Sequence, residues 1–243
     1  MREIMKRYLL AAVLALLPLP AIAEDSGTAL RYQRCLDETR DPQERVGDCQ
    51  QIIKDHGTYY GYGYLGLGEA YAATGNNEQA LAAYSALENF RYWTAPKVKR
   101  SALYAEMGDY DKALADANDV IAMRGGKAIG LVSRCWVRAI AGKELEAGLT
   151  DCDQALAELP GAAGTLEARA VILLRLERWA DAAAGFGATL KANDKRSSAL
   201  YLRGFAEKQN GDAKTGDADM AAALAANPNA IDFYARIGVV PKP

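Results

Sequence analysis

The chain has 243 residues, 29 Lys and Arg against 31 Asp and Glu, and a hydrophobic content of 50%. That length and apolar fraction can bury a substantial core in one or two domains. A net charge of −2 excludes the basic footprint that nucleic-acid binding needs.

At the N-terminus, Arg2, Lys6 and Arg7 precede an apolar run from Tyr8 to Leu17, then Pro18, Pro20 and the small-x-small triplet Ala21-Ile22-Ala23. This is the pattern of a secretory signal peptide, residues 1–23, cut after Ala23. The run is about half the ~20 residues that a membrane span needs, and no Cys follows the cut to accept a lipid. The mature chain is therefore expected to be periplasmic or secreted, without membrane insertion. Losing three bases and one acid leaves 26 positive and 30 negative side chains, net −4.

Residues 24–60 read as a degenerate first unit, because Gly47-Asp-Cys-Gln-Gln-Ile-Ile53 parallels Thr150-Asp-Cys-Asp-Gln-Ala-Leu156. Five clearer units fill 61–228. Small residues recur at Ala80, Ala113, Gly148, Ala182 and Gly216, in steps of 33, 35, 34 and 34. Four residues on runs the column Cys49, Tyr84, Ala117, Cys152, Phe186 and Met220, and three further the column Ile52, Leu87, Val120, Ala155, Thr189 and Ala223. That spacing marks one face of a helix. Upstream, Gly68, Ser101, Trp136, Ala170 and Gly204 form another column, three residues before Tyr71, Tyr104, Ala139, Leu173 and Glu207. Each unit therefore holds two helices, separated by turn signals such as Thr74-Gly-Asn-Asn77, Met107-Gly-Asp109, Ala141-Gly-Lys143 and Asn210-Gly-Asp212,.

Gly61, Gly63 and Gly66 share the G-x-G-x-x-G spacing of a dinucleotide turn. Such a turn needs a strand before it. Here Lys54-Asp-His-Gly57 ends a helix instead, so the glycines read as a loose helix start that should fray, with Gly68 permitting close packing. No cofactor is expected.

Tyr64-x-x-Leu-Gly-x-x-Tyr71 followed by Ala80-x-x-x-Tyr84 resembles the consensus of the tetratricopeptide repeat family, and the match runs over about residues 26–237. The chain looks like an exported, bacterial-type member. The resemblance implies an all-α fold: a right-handed superhelical solenoid of about six antiparallel helix pairs. Residues 229–243 would then be a capping helix and tail, with 230–237 covering the last repeat, since an open solenoid end exposes an apolar face. Departures from the family pattern are Glu207 in place of an aromatic residue, Thr189 at an apolar position, and Arg100, Arg169 and Arg203 where Leu67 sits in the first clear unit.

The four cysteines fall in two units. The midpoint of Cys35 and Cys49 lies at Pro42, and that of Cys135 and Cys152 just past Gly142, so each pair is placed symmetrically about a turn. Equal height on antiparallel helices brings Cα atoms within the ~7 Å that a disulfide needs. Export permits oxidation. The rivals are a metal site and a reactive thiol. His56 is the only histidine and no Cys-x-x-Cys occurs, so no metal is expected.

No catalytic constellation is visible, and no enzyme is expected. His56 reads as a helix-end residue. Asp151 and Asp153, two apart on a helix, point to different sides and cannot work as an acid–base pair. The basic-aromatic segment from Phe90 to Arg100 reads as Trp93 plugging a repeat junction beside solvated bases, and Tyr59, Tyr60, Tyr62 and Tyr64 as packing and rim residues.

A solenoid of helix pairs presents the first helix of every unit on its concave side, a surface that binds extended or helical protein segments. Positions flanking the Gly68 column give the candidate partner-binding set: Leu65, Glu69, Val98, Ala102, Ser133, Val137, Glu167, Val171, Tyr201 and Phe205. Most are apolar, with Glu69 and Glu167 setting polarity. Asn and Lys, with which some family members grip a terminal carboxylate, are absent from these positions apart from Lys208 nearby. Tyr201 and Phe205 have two readings: an aromatic pair facing the groove, or rings packed on the closing helix through Ile231 and Tyr234. The function expected is an exported, non-enzymatic scaffold for a protein or peptide partner. A structural subunit of a cell-envelope assembly and, further off, a hydrolase on the same frame stay open.

Overall fold

A computed structural model describes residues 26–90 and 92–241 of the chain. The signal peptide expected at 1–23 lies outside the described residues. Among those residues the regular secondary structure is all α-helix, and they divide into two compact units, 26–126 and 127–241.

The first unit holds α1 (Ser26–Leu36), α2 (Pro42–Asp55), α3 (Tyr60–Ala73), α4 (Asn77–Ser85), α5 (Ala95–Glu106) and α6 (Tyr110–Ala122). Consecutive helices pack as pairs, and α1, α3 and α5 lie side by side. The second unit holds α7 (Lys127–Ala141), α8 (Leu145–Glu158), α9 (Ala163–Arg175), α10 (Trp179–Ala192), α11 (Ser197–Gln209), α12 (Ala213–Ala226) and the short α13 (Asp232–Arg236). Its pairs stack in the same manner, with α9 against both α7 and α8.

Helix ends sit where local chemistry places them. Asp41 accepts the N–H groups of Gln43 and Glu44 ahead of Pro42, Asp109 that of Lys112, and Asp212 that of Thr215. Each satisfies a donor that a helix start leaves open. The turns within pairs use Gly75, Gly108 and Gly211 at φ 80°, 83° and 101°, a conformation costly for a side chain with Cβ,. His56 caps α2 in the left-handed region, its N–H on the Ile53 carbonyl and its ring stacked on Tyr60.

The arginines that interrupt the Leu67 column have partners one helix away. Arg100 forms a two-pronged bridge to Asp116, at 2.8 and 2.7 Å. Arg134 does the same to Asp151 at 2.7 Å for both bonds, and Arg203 reaches Asp219 at 2.6 Å. Arg169 instead turns back to Asp153 of the preceding pair. An amphipathic position thus replaces an apolar one: the stem packs and the fork is satisfied.

These bridges fix the register of α7. Six helical residues follow Arg100 in α5, and seven follow Arg134 in α7. Cys135, not Trp136, therefore occupies the place of Gly68 and Ser101. Gly68 packs on Tyr84, and Cys135 bonds Cys152, the residue in the Tyr84 column. Trp136 moves one position outward.

The glycines of α3 correct the expectation of a loose helix start. Gly61, Gly63, Gly66 and Gly68 are all helical and buried. A Cβ on Gly66 would stand 2.6 Å from Cys35 Sγ and 3.0 Å from Cys49 Sγ. The missing side chains are what let α3 sit on the first pair.

Candidate functional site

Both disulfides read from the cysteine midpoints are present, Cys35–Cys49 with Cα atoms 5.0 Å apart and Cys135–Cys152 at 5.2 Å. Each ties one helix pair together beneath the face of the first helices. Asp151 and Asp153 are engaged separately, by Arg134 and Arg138 and by Arg169. No cluster of metal-ligating side chains occurs among the described residues.

In the unit 26–126, Leu65 on α3 and Ala102 on α5 are half-buried, and Val98 is buried. Glu69 bridges Lys99 at 2.5 Å and the buried Arg45 at 3.4 Å, so its charge is shared between two helices. Burial, and after it the Glu69 charge, push the Tyr84 phenol well above its ordinary pKa. Beside this face runs a chain of rings. Tyr32 stacks on Tyr59 with centroids 4.3 Å apart and meets Tyr62 edge-on at 5.5 Å; Tyr62 continues to Trp93 at 5.0 Å, and Trp93 to Phe90 at 6.0 Å. Trp93 thus plugs the junction before α5, as its sequence context implies. Among the described residues the exposed large hydrophobics are Leu30, Phe90, Tyr92 and Met107, all in this unit, with Tyr92 79% exposed.

The unit 127–241 places its candidates differently. Ser133 and Val137 are turned inward, 7% and 0% exposed, because the longer α7 shifts the register by one; Trp136 faces outward in their stead. Glu167, expected to set the polarity of an open groove, is 0% exposed. Its carboxylate accepts from Arg196, from Ser198 Oγ at 3.1 Å and from the Tyr234 hydroxyl at 2.7 Å. Val171 and Tyr201 are buried and Phe205 is half-buried. Burial pushes the Tyr201 phenol up.

What covers this face is the chain itself. The helix expected to close the last repeat reaches back to earlier ones: Phe233 stacks on Trp136 of α7 at 5.9 Å, and Tyr234 bonds Glu167 of α9. Arg175 at the end of α9 donates to Ala139 O, Ile140 O and Ile237 O, at 2.8, 3.1 and 2.9 Å. Ile231, Phe233, Tyr234, Val239 and Val240 are all buried. Glu167 and Arg175 thus hold the middle of the segment, at Tyr234 and Ile237. Sequence periodicity could not reveal this, since residues 230–240 lie beyond the last repeat.

No protein-family model matches the chain, and no curated protein matches it either. Solved structures do. PilW, a type IV pilus biogenesis factor, aligns over 88% of this chain and 100% of its own, with a TM-score of 0.71 at 14% identity. A tetratricopeptide repeat protein from Parabacteroides merdae aligns over 86% of each chain, with a TM-score of 0.63 at 16% identity. The chain has the tetratricopeptide-repeat fold. A third repeat structure, in the APC/C Cut9–Hcn1 complex, gives a TM-score of 0.72 at 14% identity over 87% of this chain, which spans 42% of that one. In tetratricopeptide-repeat terms, α1, α3, α5, α7, α9 and α11 are the first helices of six repeats, and the candidate residues lie on them. No helix among the described residues is long and apolar enough to cross a membrane.

Proposed function

We propose that the chain is an exported, non-enzymatic scaffold that binds a segment of a protein partner on the first helices of residues 26–126, through Leu65, Glu69 and Ala102, with Val98 packed beneath them. The carrying observation is the distribution of apolar surface. Exposed large hydrophobics gather in this unit, whereas the equivalent face of the other carries residues 230–240. Phe90 and Tyr92, exposed in the connection between α4 and α5, are aromatic side chains of the kind that anchor protein interfaces. Glu69, held between Arg45 and Lys99, supplies the polar contact that fixes a ligand's direction. Two buried disulfides and the sequence of residues 1–23 support export.

Site-specific photo-crosslinking in the native compartment tests this. A photoreactive residue at Ala102 should give a discrete protein adduct, and one at Asp111, on the second helix of the same repeat, should not. Adducts from Asp111 alone, or from neither site, would overturn it.

A further inference from the structure

The segment 230–240 sits on its unit as a ligand would. Its helix, Asp232–Arg236, has five residues, too few to be stable by itself. Its apolar side chains Ile231, Phe233, Tyr234, Val239 and Val240 point into the face, while Asp232, Arg236 and Gly238 are exposed. The polar contacts to the face are directional. Tyr234 donates its hydroxyl to Glu167, and Arg175 takes the Ile237 carbonyl, a group that any peptide backbone presents. Phe233 lies flat on Trp136, with rings inclined by 14°. The free energy gained by burying these side chains is set against the conformational freedom lost in ordering the whole segment.

We propose that the face of α7, α9 and α11 is a second binding site, closed in cis by residues 230–240. Its external ligand is a short helical segment of a partner protein with the same chemistry: an apolar residue, then two adjacent aromatics of which the second carries a hydroxyl. This rests on the reading that first helices bind protein segments, and adds a second face with a stated preference. Glu167 selects the hydroxyl because its carboxylate is already buried on Arg196 and Ser198 and turned to the place of the Tyr234 oxygen. Arg175 takes the backbone carbonyl three residues after that hydroxyl-bearing side chain. The partner must displace the tail, so its apparent affinity is reduced by the fraction of time the face is closed.

The probe is a fluorescein-labelled peptide of residues 229–241, titrated into the mature chain and followed by anisotropy. Phe233→Ala in the chain loosens the tail, and its fold is checked by circular dichroism. The loosened chain should bind the probe roughly ten-fold more tightly than the parent, in proportion to the larger open fraction. A probe carrying Tyr234→Phe should bind it at least about ten-fold more weakly, as expected for one lost hydrogen bond to a buried carboxylate. If Phe233→Ala does not fold, a chain with a protease site inserted between Pro228 and Asn229 and cut after folding replaces it; the labelled probe should then exchange with the severed tail. Equal probe affinity for the loosened chain and the parent, or no exchange into the cut chain, overturns the proposal. A parent dimer that Phe233→Ala dissolves would assign the face to a second copy and also overturn it. None of these measurements involves Ala102, so crosslinking there stands or falls separately.

Discussion

Gly66 shows how much one absent methyl group decides. With both bridge sulfurs within 3.0 Å of the place its Cβ would take, Gly66→Ala must push α3 away from two helices that a bond keeps from yielding. We expect a loss of about 1–3 kcal/mol, the range for overfilling a tight core. Gly47 is the control: it is exposed, helical and has nothing within 4 Å of its Cβ position, so Gly47→Ala should add about 0.5–1 kcal/mol. Chemical unfolding of the two variants reads both signs, and a neutral Gly66→Ala would refute the account. The ion pairs separate in the same way. Asp116→Ala leaves Nε and Nη2 of the buried Arg100 without their acceptor, while Nη1 keeps Ser85 and Glu88, and should cost about 1–3 kcal/mol, whereas Asp153→Ala removes an exposed partner of Arg169 and should cost under about 1 kcal/mol.

Helix starts carry a pH signature. Asp109 is held below the ordinary carboxylate pKa by its bond with the Lys112 side chain and then by the Lys112 N–H; Asp212 is lowered by the Thr215 side chain and N–H. An acid stronger in the folded chain than in the unfolded one contributes stability that is complete above its unfolded pKa. That contribution disappears as pH falls through the lowered folded value. Melting temperature should therefore decline on acidification from about pH 6 to about pH 3, and less steeply in Asp212→Asn, which keeps the cap without the titration. An unchanged slope in Asp212→Asn would exclude this site as a cause. The disulfides act between elements. Each closes a loop worth about 3 kcal/mol, but among the described residues α1 packs chiefly on α2 and α3. Removing Cys35 and Cys49 together should thus lower the melting temperature more than removing Cys135 and Cys152. The reverse order would show that α1 is held chiefly by its apolar contacts.

The repeating architecture could be read from the sequence because its cause is periodic: small residues at Ala80, Ala113 and Gly148 mark where helices approach closely, and glycine turns mark where they reverse. The cysteine pairs were legible for a related reason, since symmetry about a turn is a local property. The face was less so. Trp136 has the sequence spacing of Gly68, but α7 carries one more residue after Arg134 than α5 does after Arg100, and the Arg134–Asp151 and Cys135–Cys152 bonds place Cys135 in that column. Glu167 looked like a groove residue because its partners Arg196, Ser198 and Tyr234 are 29, 31 and 67 residues away. A one-residue change in register and a returning tail are long-range outcomes of packing, and neither leaves a mark at the residues it buries.

Each bridge joins a cysteine to the next one along the chain, within a single helix pair. This bears on how the molecule is made. A polypeptide that becomes accessible to oxidant from its N-terminus exposes Cys35 and Cys49 well before Cys135, so the first thiols to meet are the correct ones. Of the three ways to join four cysteines, sequential emergence favours the native one. Maturation should then need an oxidant but no disulfide isomerase, and refolding of the reduced full-length chain, where all four thiols compete at once, should pass through more mispaired species than synthesis does.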